Sequence, residues 1–164
     1  MRPFIFSQGG NLLSVPYPRI LLLATLALTM VGCGGPADPD SPEGKRQAVF
    51  KQFLHHSEPM GGMLGERLPF DGESFAAHAE GLVELVEAPW QYFPEPGDSK
   101  QRNAALPTVW SEPAEWQRAI DQYRNAVTDL VAITRQGVET PEQVAESMAA
   151  VQQGCRSCHE GFRR

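Results

Sequence analysis

Five residues near the end of the chain have the types and spacing needed to attach a cofactor. Cys155 and Cys158 are separated by two residues, and His159 follows directly. This C-x-x-C-H arrangement is the attachment signature of a c-type haem, in which two thiols add to the porphyrin vinyl groups and the histidine can ligate iron. On a helix the three side chains share one face, along which a haem can lie. The spacing therefore predicts one covalently bound haem c.

Two other chemistries also use paired cysteines. A C-x-x-C pair can be a thiol–disulfide site or half of a zinc site. The remaining candidate zinc ligands are Cys33, His55, His56 and His78, and the adjacent His55 and His56 are not spaced for zinc. A thioredoxin-like pair would follow a strand in a βαβ unit, and the sequence shows no such pattern. Haem attachment is favoured, and the two alternatives stay open.

The first 32 residues have the pattern of an export signal. Arg2 and Arg19 supply positive charge, residues 20–31 are apolar, and no acidic residue precedes Asp38. This apolar run is short for a transmembrane helix and typical of a signal-peptide core. It ends in Met-Val-Gly-Cys, which resembles a bacterial lipobox, so Cys33 is predicted to become a lipidated N-terminus. Ordinary secretion with a nearby cleavage is the alternative.

Export agrees with the haem motif, because bacteria complete covalent haem attachment outside the cytoplasm. We therefore expect a periplasmic protein that touches the membrane only through its lipid anchor. Residues 33–44 would form the lipidated cysteine and a flexible linker rich in Pro and Gly, and residues 45–164 would form one domain. Two of the 14 basic residues and none of the 20 acidic ones precede Cys33. The resulting acidic balance argues against nucleic-acid binding.

Hydrophobic periodicity predicts an all-α domain of four helices. The first is expected over residues 45–57, with a break or kink at Pro59, because proline costs about 3 kcal/mol in a helix interior. The second begins after Asp71, a plausible N-cap, and Pro89 stops it. The connection over residues 91–109 is long enough to have a role, such as covering part of a cofactor.

The last two helices carry the clearest signals. Ser111 can cap the third, and Thr140 with Gln143 forms a capping box for the fourth. The third helix has a 4-3-4-3-4 apolar seam formed by Trp116, Ile120, Tyr123, Val127, Leu130 and Thr134. The apolar face of the fourth runs into the haem motif. This pattern predicts an antiparallel four-helix bundle with the covalent haem near one end.

Taken in their order along the chain, these helices and motifs resemble the cytochrome c′ family, the class II cytochromes c. The resemblance covers about residues 45–164, and ordinary class I cytochromes c carry the haem motif near the start instead. Besides the haem motif, it is carried by Arg46-Gln47, Pro69-Phe70-Asp71, Pro89-Trp90, Val109-Trp110 and Phe162-Arg163.

The resemblance implies a role for each matching residue. Cys155 and Cys158 would hold the haem, and His159 would be the proximal iron ligand. Arg163 matches an arginine beside the proximal face. Two first-helix residues match positions close to the haem and its propionates, and these are Arg46 and Gln47.

The sixth iron ligand separates two kinds of relative. Low-spin members, such as cytochrome c556, place a first-helix methionine on the iron, and in this register the position is Phe50. Because phenylalanine cannot ligate iron, the resemblance implies high-spin, five-coordinate iron that can bind nitric oxide and carbon monoxide. We expect an electron-carrying and gas-binding protein rather than an enzyme. A low-spin carrier and a haem enzyme reducing nitric oxide or peroxide are the alternatives.

Other residues that could reach the iron are less favoured. Met60 and Met63 fall about ten residues too late in the register to be the sixth ligand. His55 and His56 are expected to be solvated or partly packed, and His78 to lie on the surface. Family members often pair through their first two helices, so the resemblance implies a homodimer, and electron transfer requires a redox partner protein.

Overall fold

All regular secondary structure in the described part of the chain is helical, apart from one isolated β-bridge between Ala105 and Arg163. The computed structural model describes residues 37–97 and 103–164, so the predicted signal peptide and Cys33 lie outside the described residues. A 3₁₀ turn at Trp90–Tyr92 and a short helix at Thr108–Ser111 interrupt the long connection. The long helices are α1 (Pro42–Leu64), α2 (Gly72–Leu85), α3 (Pro113–Thr134) and α4 (Glu142–Phe162).

Local side-chain caps set where α1 and α2 begin, whereas the predicted Ser111 cap of α3 is wrong, because Ser111 ends the short helix and Glu112 precedes α3 without a side-chain capping bond. The Ser41 hydroxyl accepts a hydrogen bond at 3.1 Å from the backbone N–H three residues on, and Pro42 occupies the first turn. The helix α1 therefore starts three residues before the predicted boundary. Asp71 caps α2 in the same way, as predicted. Before α4, the Gln143 side chain accepts from the Thr140 N–H at 3.0 Å, which is one half of the predicted capping box.

The predicted break at Pro59 is wrong, because α1 continues through it to Leu64. Met60 and Met63, which follow the proline, are 0% and 6% exposed. Burying such a side chain is worth about 1.5–3 kcal/mol, so the two together offset the cost of one interior proline. Tertiary packing thus overrides the local helix-breaking signal.

The four helices pack in chain order around one core. Close contacts join α1 to α2, α2 to α3 and α3 to α4, whereas α1 and α4 are not a closely packed pair. The predicted α3 seam is buried from Ile120 to Thr134, with Trp116 half-buried at its start. The described residues form one compact unit. No helix of the described residues is both long and apolar enough to span a membrane.

Candidate haem-binding site

The C-x-x-C-H motif lies in the last turns of α4, next to the stripe that packs on α3. Val144, Met148, Val151 and Gly154 are the buried residues of this helix. Cys155 is exposed, Cys158 is half-buried and His159 is exposed, and both thiols are free. The i, i+3 and i, i+4 spacing therefore gives three chemically available side chains on one face, as haem attachment requires.

The surroundings of the two thiols do not suit a dithiol redox site. Burial, followed by the effect of Cys155, raises the pKa of Cys158 to about 11. The pKa of Cys155 is also raised, because packed atoms surround its sulfur although part of the residue reaches solvent. Reactive C-x-x-C pairs have a lowered thiol pKa instead. In the described residues, no three His, Cys, Asp or Glu side chains converge to hold a metal ion, so a structural zinc site at the two cysteines is not favoured either.

A continuous row of aromatic side chains runs from α3 across α1 to the end of α4, and we call it the aromatic row. Ring centroids of successive neighbours lie 4.9–6.3 Å apart. It ends at Phe162, one turn beyond His159. Stacked and edge-on aromatic rings offer a porphyrin a large apolar wall. The row consists of Tyr123, Phe53, Phe50, Trp90 and Trp116, with both Phe93 and Phe162 packed on Trp116.

Phe50 occupies the middle of the aromatic row. It is half-buried, with ring centroids 5.6 Å from Phe53 and 6.3 Å from Trp90. The position predicted to cap the sixth coordination site therefore packs against two aromatic rings.

Arg46 anchors α1 to the long connection. It is 6% exposed, and its guanidinium donates to the Tyr92 carbonyl and to Asn103 Oδ1, both at 2.8 Å. Its Cζ lies 4.4 Å from the centroid of the Phe93 ring. Burial lowers its pKa, opposed by the nearby Glu43 charge. Two of its five N–H groups are thus used within the protein, which leaves donors for a propionate.

The other two charged or polar positions implied by the resemblance are more open. Gln47, next to Arg46 on α1, is exposed. Arg163 follows the end of α4, and its backbone N–H donates to the His159 carbonyl at 3.2 Å. The pKa of His159 is lowered, first by burial and then by the Arg163 charge. The Arg163 charge therefore favours the neutral form of the predicted iron ligand.

One unpaired donor supports the fit of a haem to these residues. The Trp90 Nε1 atom is buried without a hydrogen-bond partner in the described residues. An unpaired buried donor costs about 1–3 kcal/mol, so such atoms normally have an acceptor. Haem propionates supply carboxylate oxygens, and Trp90 stands in the aromatic row beside Phe50. The residues present therefore fit the group that the motif attaches.

The structure corrects the expectation for His78. This residue is half-buried rather than on the surface, and its Nδ1 lies 3.3 Å from Nδ1 of His56. His55 is exposed and His56 half-buried, as expected for solvated or partly packed side chains. Burial, and then His78 and His55, lower the pKa of His56.

Two functional neighbours were missed by the sequence reasoning. Asn103, whose amide oxygen also accepts from the Ala105 N–H at 3.0 Å, joins the connection to Arg46. Glu43 is fully buried, and both its oxygens lack a hydrogen-bond partner in the described residues. An acidic residue in the first turn of a helix normally indicates a solvated charge near the macrodipole, so no sequence signal pointed to its burial.

Comparisons with known proteins agree with this geometry. A family model described as cytochrome C′ matches residues 42–163. Cytochrome c′ from Cereibacter sphaeroides is 26% identical over 148 residues, which cover 88% of this chain and 97% of that protein. The crystal structure of cytochrome c′ from Rubrivivax gelatinosus matches with a TM-score of 0.70 and 25% identity, covering 79% of this chain and 100% of that one.

A third relative shares the fold. Variants of cytochrome c prime from Alcaligenes xylosoxidans, one a nitric oxide complex and one with carbon monoxide bound, match with a TM-score of 0.67 and 23% identity. The two matches cover 78% and 79% of this chain, and 97% and 99% of the respective Alcaligenes chains. The predicted four-helix bundle is confirmed. Since the family model spans nearly all of the helical domain, the chain belongs to the cytochrome c′ family and carries one covalently bound haem c.

Proposed function

We propose that this protein is an exported cytochrome that carries one electron and binds small uncharged gases, nitric oxide and carbon monoxide, at a five-coordinate haem iron. The observation that carries the proposal is the position of Phe50, an apolar side chain in the aromatic row where low-spin relatives place a ligand. When bound, the haem supplies the one-electron couple and the iron position for a gas. The chain's own residues form the rest of the site.

Cys155 and Cys158 would hold the ring through two thioethers, and His159 would ligate the iron. All three are chemically accessible on α4. Arg163 places a positive charge beside His159, as its effect on the pKa of that residue indicates. A cation next to a neutral imidazole favours the uncharged form, which is the form that binds iron.

Phe50 would exclude water and protein ligands from the iron. The thioethers of Met60 and Met63 do not compete, because both are packed in the core. They lie about 15 Å and 20 Å further along α1 at 1.5 Å per residue. A small gas would have to displace only the Phe50 ring, so steric access at this position would decide which ligands bind.

Polar groups of Trp90, Arg46 and Gln47 would hold the propionates. The Trp90 Nε1 atom has a free N–H, and the Arg46 guanidinium keeps three of its five N–H groups after bonding Tyr92 and Asn103. Gln47 is exposed next to Arg46 and adds a further amide donor.

We propose no catalytic role for the site. The nearest ring neighbours of Phe50 are Phe53 and Trp90. Neither can take up or deliver a proton, and reduction of nitric oxide or peroxide requires proton transfer.

Export and membrane attachment complete the proposal. Cleavage before Cys33 and its lipidation would leave a periplasmic domain on a short Pro- and Gly-rich tether. Pairing of two copies through α1 and α2 is supported by Leu54, on α1, and Leu68, just after it, which are exposed large apolar side chains. Light scattering of the purified protein tests the pairing.

The absorption spectrum of the ferrous holoprotein tests the proposed iron coordination. We expect a broad high-spin Soret band that shifts when nitric oxide or carbon monoxide is added. A sharp, split α band before any gas is added would show a sixth protein ligand and would favour the low-spin carrier instead.

A further inference from the structure

Three of the four histidines in the chain form a cluster on α1 and α2, away from the haem motif. His55 and His56 are on α1, and His78 is on α2. The ring centroids are 5.1 Å apart for His55 and His56, 5.5 Å for His56 and His78, and 6.2 Å for His55 and His78. None of the three belongs to the aromatic row, so the haem site gives no reason for their proximity.

The spacing of two nitrogens within the cluster fits a metal ion. His56 Nδ1 and His78 Nδ1 are 3.3 Å apart. Two nitrogen ligands about 2.0–2.1 Å from a tetrahedral zinc ion are separated by about the same distance. Without metal, the same two atoms share one proton in a hydrogen bond. Replacing that proton by a metal ion requires little movement of either ring.

A glycine on α2 makes room for this arrangement. A Cβ added at Gly81 would overlap the imidazole ring of His56. The His56 ring therefore packs directly against the α2 backbone at Gly81, which is one helical turn from His78. The two donors come from different helices that are already packed together, so they are held in place by the fold.

We propose that His56 and His78 bind a divalent transition-metal ion through their Nδ1 atoms, with water completing the coordination. His55 precedes His56 directly on α1, and adjacent residues of a helix do not face each other, so His55 is not one of the ligands. Three donors do not converge on one point in the described residues, so the protein supplies two preset donors. Imidazole suits zinc and copper among the first-row metals.

Calorimetric titration of the holoprotein with zinc chloride tests this site. The holoprotein is used because His159 and the two thiols would compete for zinc without haem. We expect one equivalent to bind, with about tenfold or greater weakening in the variants His56→Gln and His78→Gln. The Soret band should not change. Glu112→Gln, which removes an exposed carboxylate before α3, is the matched control and should bind zinc as the unmodified protein does.

A second variant separates loss of ring position from loss of a ligand. Gly81→Ala retains all three imidazoles but displaces His56, so it too should weaken zinc binding. Zinc should raise the unfolding temperature of the unmodified protein, because a ligand stabilises only the state that binds it. It should fail to do so for His56→Gln, His78→Gln and Gly81→Ala. Equal zinc binding by His56→Gln, His78→Gln and the unmodified protein, or no binding by the latter, would overturn the proposal.

Discussion

Gly154 of α4 lies directly against Tyr123 of α3. A Cβ added at Gly154 would be 3.3 Å from both Cα and Cδ2 of Tyr123, which is tighter than ordinary van der Waals contact. Tyr123 is buried and begins the aromatic row. The residue before Cys155 therefore sets how closely α4, with its haem-attachment motif, approaches the helix behind it.

The contact predicts a cost for a small substitution. Gly154→Ala should lower the free energy of unfolding of the holoprotein by about 1–2 kcal/mol relative to Gly161→Ala, as overpacking of a filled contact does. Gly161 lies in the same helix with nothing within 4 Å of an added Cβ, so alanine there gains helix propensity without a clash. Urea unfolding measures both. Equal stability of the two variants would show that α3 and α4 can move apart freely.

The proposed cap on the iron predicts a kinetic effect. Phe50→Ala should speed carbon monoxide binding to the ferrous protein by about tenfold, which corresponds to about 1.4 kcal/mol of barrier. Phe70→Ala is the control, because Phe70 is also half-buried but packs on Phe75, outside the aromatic row. Stopped-flow mixing gives the rates. If both variants bind at the unmodified rate, the cap lies elsewhere.

The Arg46–Asn103 hydrogen bond predicts energetic coupling between α1 and the long connection. A double-mutant cycle with Arg46→Met and Asn103→Ala should give a coupling free energy of about 1–3 kcal/mol, as for a hydrogen bond to a charged group. Lys51→Met, an exposed position on α1, replaces Arg46→Met in a control cycle and should be additive with Asn103→Ala. Urea unfolding of each holoprotein provides the values. Additivity in the Arg46 cycle would contradict the coupling.

Lipidation of Cys33 predicts where the protein is found after cell fractionation. The unmodified chain, expressed in a bacterium, should remain with the membranes through a high-salt wash, because several acyl chains anchor stably. Cys33→Ser should release the haem-loaded domain into the soluble periplasmic fraction. Ser41→Ala, in the same N-terminal region, should leave the location unchanged. Membrane retention of Cys33→Ser would show that another feature holds the protein there.

Much of the site was predictable because it depends on neighbours in sequence. The C-x-x-C-H spacing fixes three side chains on one helical face whatever the rest of the fold does. Asp71 caps α2 through a hydrogen bond from the backbone N–H three residues on, and the α3 seam follows from helical periodicity. Signals of this kind involve residues only one or two helical turns apart, so they can be recognised from the sequence alone.

Other features arise only when distant segments meet. Pro59 remains helical because Met60 and Met63 are buried by the rest of the bundle. Arg46 is held by Tyr92 and Asn103, which are 46 and 57 residues away in sequence. No local pattern encodes these partners.

The sequence by itself determined the cofactor and the helical class and predicted the attachment residues, because each depends on short residue spacings and on helical periodicity. Only the tertiary structure decided that Phe50 stands in an aromatic row, that Gly154 brings α4 against Tyr123, and that His56 and His78 face each other. These contacts depend on how whole helices pack, since burial and distance are properties of the assembled core and not of any one segment.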